Sequence, residues 1–215
     1  PLFLNNVMQH LYSVFLKFCI FTAKSIKKYR SVKQALPLIQ KLMAGIYIHV
    51  PFCKTRCIYC DFYSTTQSSL QPKYVSALCK ELVQRKEYLD SESVETIYFG
   101  GGTPSQLSYE ELTAIFQTIT ENYRVTENAE VTMEANPDDL SSTYLSLLRK
   151  LPFNRISMGI QTFHDGTLKL LKRRHSALQA LEAFKKSRVA GFNNISIDLM
   201  YGRSEERRVG KECLR

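Results

Sequence analysis

Strand-like and helix-like segments alternate five times along the middle of this 215-residue chain. Short apolar or alternating runs predict strands, and apolar residues three and four positions apart predict helices. The predicted strands are 45–50, 96–99, 129–135, 155–159 and 194–200. The predicted helices are 72–89, 108–122, 141–150, 165–171 and 176–190. Repeated βα units predict an α/β fold with a parallel sheet, either open or curled towards a barrel.

Two of the predicted helices carry more detailed signals. The first has an apolar face, which consists of Tyr74, Val75, Leu78, Leu82 and Val83. Cys79 falls within the same pattern, where a cysteine is usually a small buried apolar side chain. The second helix begins at Ser108, and Glu111 three residues later predicts a capping box.

The net charge of +9 at first suggests nucleic acid or anionic lipid as a partner. The excess of positive charge lies at the two ends of the chain. Residues 1–43 hold seven Lys and Arg and no acid, and residues 203–215 hold five Lys and Arg against three acids. The body 44–202 is therefore neutral, with 17 residues of each sign, and we expect no nucleic-acid partner.

The two ends differ from the body in kind as well as in charge. The apolar run 11–21 is interrupted by Lys17 and is too short to span a bilayer, so we expect no stable membrane span. We interpret residues 1–43 as a non-native upstream segment that ends at the expected start, Met43, with an amphipathic membrane anchor as the alternative. Residues 203–215 resemble a translated sequencing adapter. The expected domain is therefore 44–202, an incomplete one.

Three cysteines follow the first predicted strand in a C-x3-C-x2-C run: Cys53, Cys57 and Cys60. Three thiolates can hold three corners of a cubane iron–sulfur cluster and leave the fourth iron open to a ligand. Zinc is the alternative, but it would normally need a fourth Cys or His. A disulfide framework is less expected, because the other cysteines are scattered and the composition is that of a cytoplasmic domain.

Distinctive residues also follow the other predicted strands. Gly100–Pro104 follows the second strand, Glu134 ends the third, Gln161 follows the fourth and Asp198 lies near the end of the fifth. In parallel α/β folds ligands bind at the carboxyl ends of the strands, so these residues should meet the cysteines at one mouth. The glycines would let the backbone approach a ligand closely. No Gly-Lys-Ser/Thr follows them, which argues against a phosphate loop.

Taken in order, these motifs resemble a known family. They are Tyr47-Ile-His-Val-Pro-Phe-Cys53-Lys-Thr-Arg-Cys57-Ile-Tyr-Cys60, Gly100-Gly-Gly-Thr-Pro104, Met133-Glu-Ala-Asn-Pro137, Ser157-Met-Gly-Ile-Gln161 and Asp198-Leu-Met-Tyr-Gly202. The chain is similar over 44–202 to radical S-adenosylmethionine proteins of the oxygen-independent coproporphyrinogen III oxidase group. That resemblance implies a partial (βα) barrel, truncated after about five strands.

The resemblance also implies cofactors and site residues. Cys53, Cys57 and Cys60 would hold a [4Fe–4S] cluster, and S-adenosylmethionine would bind its open iron. The matching cofactor-contact positions are Tyr47, Tyr59, Gly101, Gly102, Thr103, Glu134, Gln161, Arg173 and Asp198. From the residues alone, Tyr47 also suits a core position and Arg173 a solvated basic patch. His49 and His175 are interpreted as structural, and no catalytic side chain is assigned.

Three functions follow from the resemblance as alternatives. The first is a heme chaperone of the HemW branch, which would bind heme. The second is the oxidase, which would convert propionate groups of coproporphyrinogen III to vinyl groups. Phe62 favours the chaperone, because oxidases of this group tend to carry a further cysteine at that position. The third is a radical enzyme with another substrate. All three require an electron donor for the cluster and are expected in the cytoplasm.

Overall fold

The computed structural model describes residues 44–89 and 92–201 of the chain. Within them a single sheet contains five parallel strands, which follow one another in space in the same order as in sequence. The strands are β1 (Ala44–Val50), β2 (Val94–Gly101), β3 (Val125–Ala135), β4 (Arg155–Gln161) and β5 (Asn194–Leu199). The α-helices are α1 (Gln71–Gln84), α2 (Tyr109–Asn122), α3 (Ser142–Leu148), α4 (Asp165–Leu170) and α5 (Ala177–Val189).

The structure confirms the predicted α/β class, and each predicted strand and helix is present. The boundaries differ most at two places. The first helix ends at Gln84, and a separate 3₁₀ turn covers Lys86–Leu89. β3 begins at Val125, ahead of the predicted start, because Val125 pairs with Val94 of β2. The predicted segments 1–43 and 203–215 lie outside the described residues.

The two faces of the sheet are chemically different. Residues that point to one face are apolar, and they are Ile46, Ile48, Ile97, Phe99, Val131, Met133, Ile156 and Met158. These side chains form one core cluster with buried residues of the helices, such as Leu112 and Ile119 of α2. Phe99 contacts the rings of Phe116 and Phe153 at centroid distances of 5.3 and 5.2 Å. We call this the helix-covered face.

The opposite face, which we call the polar face, carries the intervening residues of the strands. Tyr47, Tyr98, Thr132 and Arg155 lie in one row across four strands. The Arg155 guanidinium donates to the Thr132 hydroxyl at 3.2 Å and to the Ser196 hydroxyl at 3.0 Å. Polar side chains on this face therefore satisfy one another across strands, as buried polar groups must.

Helix-level predictions are mostly confirmed, with one correction. Tyr74, Val75, Leu78 and Leu82 are buried, but Val83 is 46% exposed. A helix turns about 100° per residue, so Val83 lies beyond the edge of the buried stripe. Cys79 is half-buried and packs against the core rather than inside it.

The predicted capping box of α2 is present. The Ser108 hydroxyl accepts from the Glu111 amide at 3.2 Å, and the Glu111 carboxylate accepts from the Ser108 amide at 2.8 Å. Two of the free amides at the helix start are thereby satisfied. In the described part of the chain, no helix is both long enough and apolar enough to span a bilayer.

Candidate functional site

A cavity of about 190 Å³ opens at the carboxyl ends of the strands. All but one of the residues predicted to form the site line it. They are Cys53, Cys57, Cys60, Tyr59, Gly101, Gly102, Thr103, Glu134, Gln161, Arg173 and Asp198. The structure therefore brings together residues that lie on five strand ends and one helix end. Whether they bind the predicted cluster and cofactor stays a prediction.

Tyr47 is the exception. It lies on the polar face, where its ring stacks on Tyr98 at a centroid distance of 5.9 Å and an interplanar angle of 20°. Its hydroxyl lies 3.4 Å from Nδ1 of His49. The structure thus places Tyr47 beside the cavity lining, in contact with Tyr98, and not among the lining residues.

The three cysteines lie in a loop, residues 51–65, which we call the cysteine loop. Its two ends are hydrogen-bonded to each other. The Cys53 amide donates to the Thr65 carbonyl at 2.9 Å, and the Thr65 amide donates to the Pro51 carbonyl at 2.7 Å. Further along, the Ile58 amide donates to the carbonyl of Leu171 at the end of α4. The cysteine loop is therefore hydrogen-bonded within itself and also to Leu171, the residue that follows α4. Its three thiols are partly buried and face one cavity.

Two side chains reach the thiols directly. The Thr103 hydroxyl donates to Sγ of Cys53 at 3.3 Å, and Nη1 of Arg173 lies 3.6 Å from Sγ of Cys57. Burial raises the pKa of the Cys53 thiol, while hydrogen bonds from Thr103 and Ser64 oppose that rise. Burial also raises the pKa of Tyr59 to about 12. A bound metal would offset the cost of burying thiolate charge, because metal ligation deprotonates a thiol outright.

The donor set fits an iron–sulfur cluster in number and type. Iron–sulfur clusters are held by cysteine thiolates, and three of them line this cavity. Among residues 44–89 and 92–201, no three His, Cys, Asp or Glu side chains form a group that could hold a single metal ion. That finding concerns one ion, whereas in a cubane each thiolate binds a different iron. The residues present are compatible with a cluster that lacks a fourth protein ligand.

Arg173 reaches the cavity because of how α4 ends. Lys172 adopts a left-handed conformation with φ of 57°, and the Arg173 amide donates to the Leu168 carbonyl at 2.9 Å. This is the hydrogen bond of a Schellman-type helix end, and it reverses the chain. The Arg173 guanidinium then donates to Oδ1 of Asn136 at 2.6 Å and to the Gly159 carbonyl. Arg173 is therefore a wall residue of the cavity and not part of a solvated basic patch.

Glu134 is held rigidly by two donors. The Tyr98 hydroxyl donates to Oε1 at 2.6 Å, and the Gly101 amide donates to Oε2 at 3.1 Å. Burial raises the pKa of Glu134, the two hydrogen bonds oppose the rise, and the nearby charge of Asp198 adds to it. Two carboxylates at one cavity favour a cationic ligand, because its charge would offset both the cost of burying a negative charge and the repulsion between the two carboxylates.

Gly100–Pro104, which we call the glycine loop, packs closely against the end of β1 and the start of the cysteine loop. Gly101 has a φ of +107°, which side-chain-bearing residues rarely adopt, and a Cβ there would also lie 2.5 Å from the His49 ring. A Cβ on Gly102 would lie 2.8 Å from the Val50 carbonyl and 3.0 Å from the Phe52 carbonyl. The glycines are thus required by packing against β1 and the residues that lead to Cys53, in addition to the predicted approach of a ligand.

Gln161 and Asp198 close the far side of the cavity. Gln161 is a non-glycine residue with a φ of 70°, and the pairing of β4 with β5 is irregular between Gly159 and Gln161. Unfavourable backbone conformations of this kind concentrate at functional sites. Asp198 pairs with Gly159 in that sheet register, so its side chain projects on the polar face next to the cavity.

Several lining residues were not singled out from the sequence. Asn136 accepts from Arg173 and donates to Thr103 at 3.4 Å, so it links two predicted site residues. The sequence could have indicated Asn136 by its position two residues after Glu134, because both residues lie near the carboxyl end of β3. Ser157 also lines the cavity, and alternation along β4 places it on the polar face. Arg56 lines it too, and so does Phe62, which the sequence analysis had singled out.

The two histidines that were interpreted as structural lie outside the cavity lining. Nε2 of His49 is 3.1 Å from the Tyr63 carbonyl, and Nε2 of His175 is 3.1 Å from the Ile160 carbonyl. Burial lowers the pKa of both rings. Each ring therefore joins two chain segments, which agrees with a structural role.

Comparison with known proteins gives the class. A sequence profile of the Radical SAM superfamily matches residues 47–210, and the chain belongs to this superfamily. The chain is 39% identical over 162 residues to the heme chaperone HemW of Bacillus subtilis, which covers 74% of this chain and 43% of that protein. It is 32% identical over 166 residues to an oxygen-independent coproporphyrinogen III oxidase of Synechocystis, which covers 76% of this chain and 36% of that protein.

The solved structures agree with this class. The solved structure of coproporphyrinogen III oxidase (HemN) from Escherichia coli, a radical SAM enzyme, superposes with a TM-score of 0.69 at 29% identity. The superposition covers 78% of this chain and 40% of that one. The chain spans less than half of the length of each of these relatives.

Proposed function

We propose that this chain holds a [4Fe–4S] cluster and S-adenosylmethionine, and that it acts in heme and porphyrin metabolism as a heme chaperone of the HemW type. The observation that supports the cofactor assignment most directly is the meeting of three thiols, two carboxylates and Arg173 in one cavity. The support for the chaperone role is the similarity to HemW proteins.

The chain's own residues would divide the work at this site. Cys53, Cys57 and Cys60 would ligate three irons, and the bound and reduced cluster would supply the electron for radical chemistry on S-adenosylmethionine. Glu134 and Asp198 would attract the cationic groups of that cofactor, since both line the cavity. Thr103 and Arg173 would donate to the thiolates of Cys53 and Cys57, from the positions that they already occupy. Such donors stabilise thiolate charge and tune a bound cluster.

The remaining predicted contacts would shape the cavity. Tyr59 lies in the cysteine loop and would cover one side of the cofactor, while Gly101 and Gly102 would present backbone to it without side chains. Gln161 would contact it from the end of β4. Tyr47 would act through Tyr98, on which its ring stacks.

Phe62 carries the preference for a chaperone over an oxidase. Its side chain is 65% exposed and lines the cavity rim, where a further thiol is expected in an oxidase. The oxidase remains the second candidate because relatives of that kind are also similar. The proposed partners are heme or coproporphyrinogen III together with an electron donor for the cluster, and the proposed location is the cytoplasm.

The cofactor proposal is tested by anaerobic reconstitution with iron and sulfide. The unmodified chain should gain the broad visible absorption of a cluster, and Cys53→Ala, Cys57→Ala and Cys60→Ala should each lose it. Cys79→Ala is the matched control, because Cys79 lies on α1, away from the cavity. An unchanged spectrum in any of the first three variants would remove that cysteine from the ligand set.

The choice between chaperone and oxidase needs the longest product of the reading frame that contains this chain. The reconstituted protein is incubated with heme in one experiment, and with coproporphyrinogen III, S-adenosylmethionine and a reductant in another. A chaperone should bind heme at equimolar ratio and leave the porphyrinogen unchanged. Formation of protoporphyrinogen would overturn the chaperone role in favour of the oxidase.

A further inference from the structure

One buried carboxylate outside the cavity lining joins several of the loops that form it. Asp139 ends the 3₁₀ turn Pro137–Asp139 after β3, and its side chain is only 3% exposed. It accepts hydrogen bonds from four side chains, which are Lys54 at 3.0 Å, Ser105 at 2.9 Å, Gln106 at 2.6 Å and Arg174 at 3.1 and 3.2 Å. We call Asp139 and these four residues the Asp139 cluster.

Each partner in the Asp139 cluster lies next to residues of the cavity. Lys54 directly follows Cys53, and Arg174 directly follows Arg173, whose guanidinium lies 3.6 Å from the thiol of Cys57. Ser105 and Gln106 follow the glycine loop. One carboxylate therefore connects the cysteine loop, the glycine loop and the end of α4, although Asp139 does not line the cavity.

The energetic weight of Asp139 comes from its burial. A buried carboxylate is tolerated only where charged and hydrogen-bonding partners surround it, and the loss of one member of such a network leaves the others unsatisfied. Lys54 is 57% exposed and can turn to water, but Arg174 is only 20% exposed. Arg174 has a second acceptor in Asp138 at 2.8 Å. Loss of the Asp139 charge should therefore release the cysteine loop more than it releases Arg174.

We propose that Asp139 is the positioning residue of the cysteine loop: it fixes Lys54, and through it Cys53, against the glycine loop and the end of α4. The proposal rests on the proposed function only for its consequence, which is that the loop is preorganised to receive a cluster. Preorganised ligands bind without a cost of ordering, so a loosened loop should take up less iron.

The first test is amide hydrogen exchange of the chain without cluster. The Cys53 and Thr65 amides are hydrogen-bonded within the loop, so their exchange reports its opening. Asp139→Asn should speed exchange in peptides that cover 51–66 by roughly tenfold, while peptides of α2 stay unchanged. Unchanged exchange in 51–66 would overturn the proposal, and so would an equal acceleration in α2, because Asp139 would then be a general stability residue.

Two further variants distinguish the contact of Asp139 with Lys54 from the contacts made by Arg174. Asp138→Asn is the matched control, because Asp138 contacts Arg174 and not Lys54; it should leave exchange in 51–66 within about twofold of the parent. Lys54→Met removes the loop's own link from an exposed position, so the chain should still fold. It should speed exchange in 51–66, and its effect should not add to that of Asp139→Asn. Full additivity would exclude the Lys54 link.

The second test measures iron and sulfide per chain after anaerobic reconstitution, together with the electron paramagnetic resonance of the reduced sample. Asp139→Asn should hold roughly threefold less iron than Asp138→Asn. Equal iron content in the two variants would overturn the proposed consequence. Failure of the proposed function would look different, because the unmodified chain would then form no cluster while the exchange results would stand.

Discussion

Tyr98 and Phe99 are consecutive residues of β2, yet they lie in two different environments. Phe99 is fully buried on the helix-covered face, where it contacts the rings of Phe116 and Phe153. Tyr98 lies on the polar face, where its hydroxyl donates to Glu134 and its ring stacks on Tyr47. Alternation along one strand thus assigns neighbouring residues to the core and to the site.

Because the two faces differ in the kind of contact they make, stability measurements report on one face and binding measurements on the other. Contacts on the helix-covered face are apolar and non-directional, so they contribute to the free energy of unfolding through burial and packing. Contacts on the polar face are hydrogen bonds between particular atoms, so they fix the positions of cavity side chains. A change on the first face should alter stability, and a change on the second should alter ligand binding.

The largest expected effect on stability is that of Phe99→Ala. Removal of a fully buried aromatic ring that contacts two others should lower the free energy of unfolding by about 3–5 kcal/mol. Urea unfolding followed by circular dichroism measures it. Val83→Ala is the control, because Val83 is half-exposed, and it should change stability by no more than about 0.5 kcal/mol. A loss below 1 kcal/mol for Phe99→Ala would contradict the packing of this face.

Gly102→Ala should come next in size. The added methyl would meet backbone atoms of Val50, Pro51 and Phe52 at 2.8–3.0 Å, and backbone cannot move aside as a flexible side chain can. We expect a loss of roughly 1–3 kcal/mol in the free energy of unfolding. Gly166→Ala is the matched control, because Gly166 lies in α4 and its nearest neighbour is the side chain of His164, the residue that precedes the helix. Equal stability of the two variants would show that the glycine loop does not press on β1.

The fold could be predicted from the sequence because its signals are local. Periodicity within each segment separates strand from helix, and Ser108 with Glu111 marks a helix start within four residues. Boundaries that depend on pairing could not be predicted in this way. Val125 joins β3 because Val94 lies opposite it, and the early end of α1 at Gln84 follows from a turn that periodicity does not reveal.

The site could be predicted in part. The strand ends place Glu134 and Asp198 at one edge of a parallel sheet, which follows from topology alone. Arg173 reaches the cavity only through the left-handed turn at Lys172, so the resemblance to a family was needed to find it. Tyr47 was expected in the site from the same resemblance; its ring stacks on Tyr98, and its contact with a cofactor stays a prediction.

Tyr98→Phe tests the polar face with the loss of a single oxygen. The ring and its stacking on Tyr47 remain, while Oε1 of Glu134 loses a donor at 2.6 Å. If Glu134 binds the cofactor, S-adenosylmethionine should bind roughly tenfold more weakly to the reconstituted chain, as expected for loss of a hydrogen bond to a charged group. Equilibrium dialysis measures this.

Tyr144→Phe is the control for this change. The Tyr144 hydroxyl donates to the Leu107 carbonyl at 3.3 Å, and Tyr144 does not line the cavity. Its loss should leave cofactor affinity unchanged. Equal affinities of the two variants would break the contrast between the two faces, because Tyr98 would then act on stability alone.

The smallest effect is expected from Glu81→Gln in α1, on the helix side of the molecule. Glu81 is 5% exposed, and burial raises its pKa from the ordinary value of 4.5, which the charge of Arg85 only partly opposes. Arg85 Nε lies 2.8 Å from Oε1, yet within the described residues that oxygen accepts no hydrogen bond of acceptable geometry.

A folded pKa of Glu81 above the unfolded one means that folding disfavours the ionised form of its carboxyl group. The penalty is absent below the unfolded pKa and grows as pH rises through the folded one. Glu81→Gln should therefore match the parent near pH 4 and be more stable at pH 7, as measured by thermal unfolding. Lower stability of the variant at pH 7 would show that the Arg85 ion pair outweighs burial, and that this layer, like the polar face, depends on directed contacts.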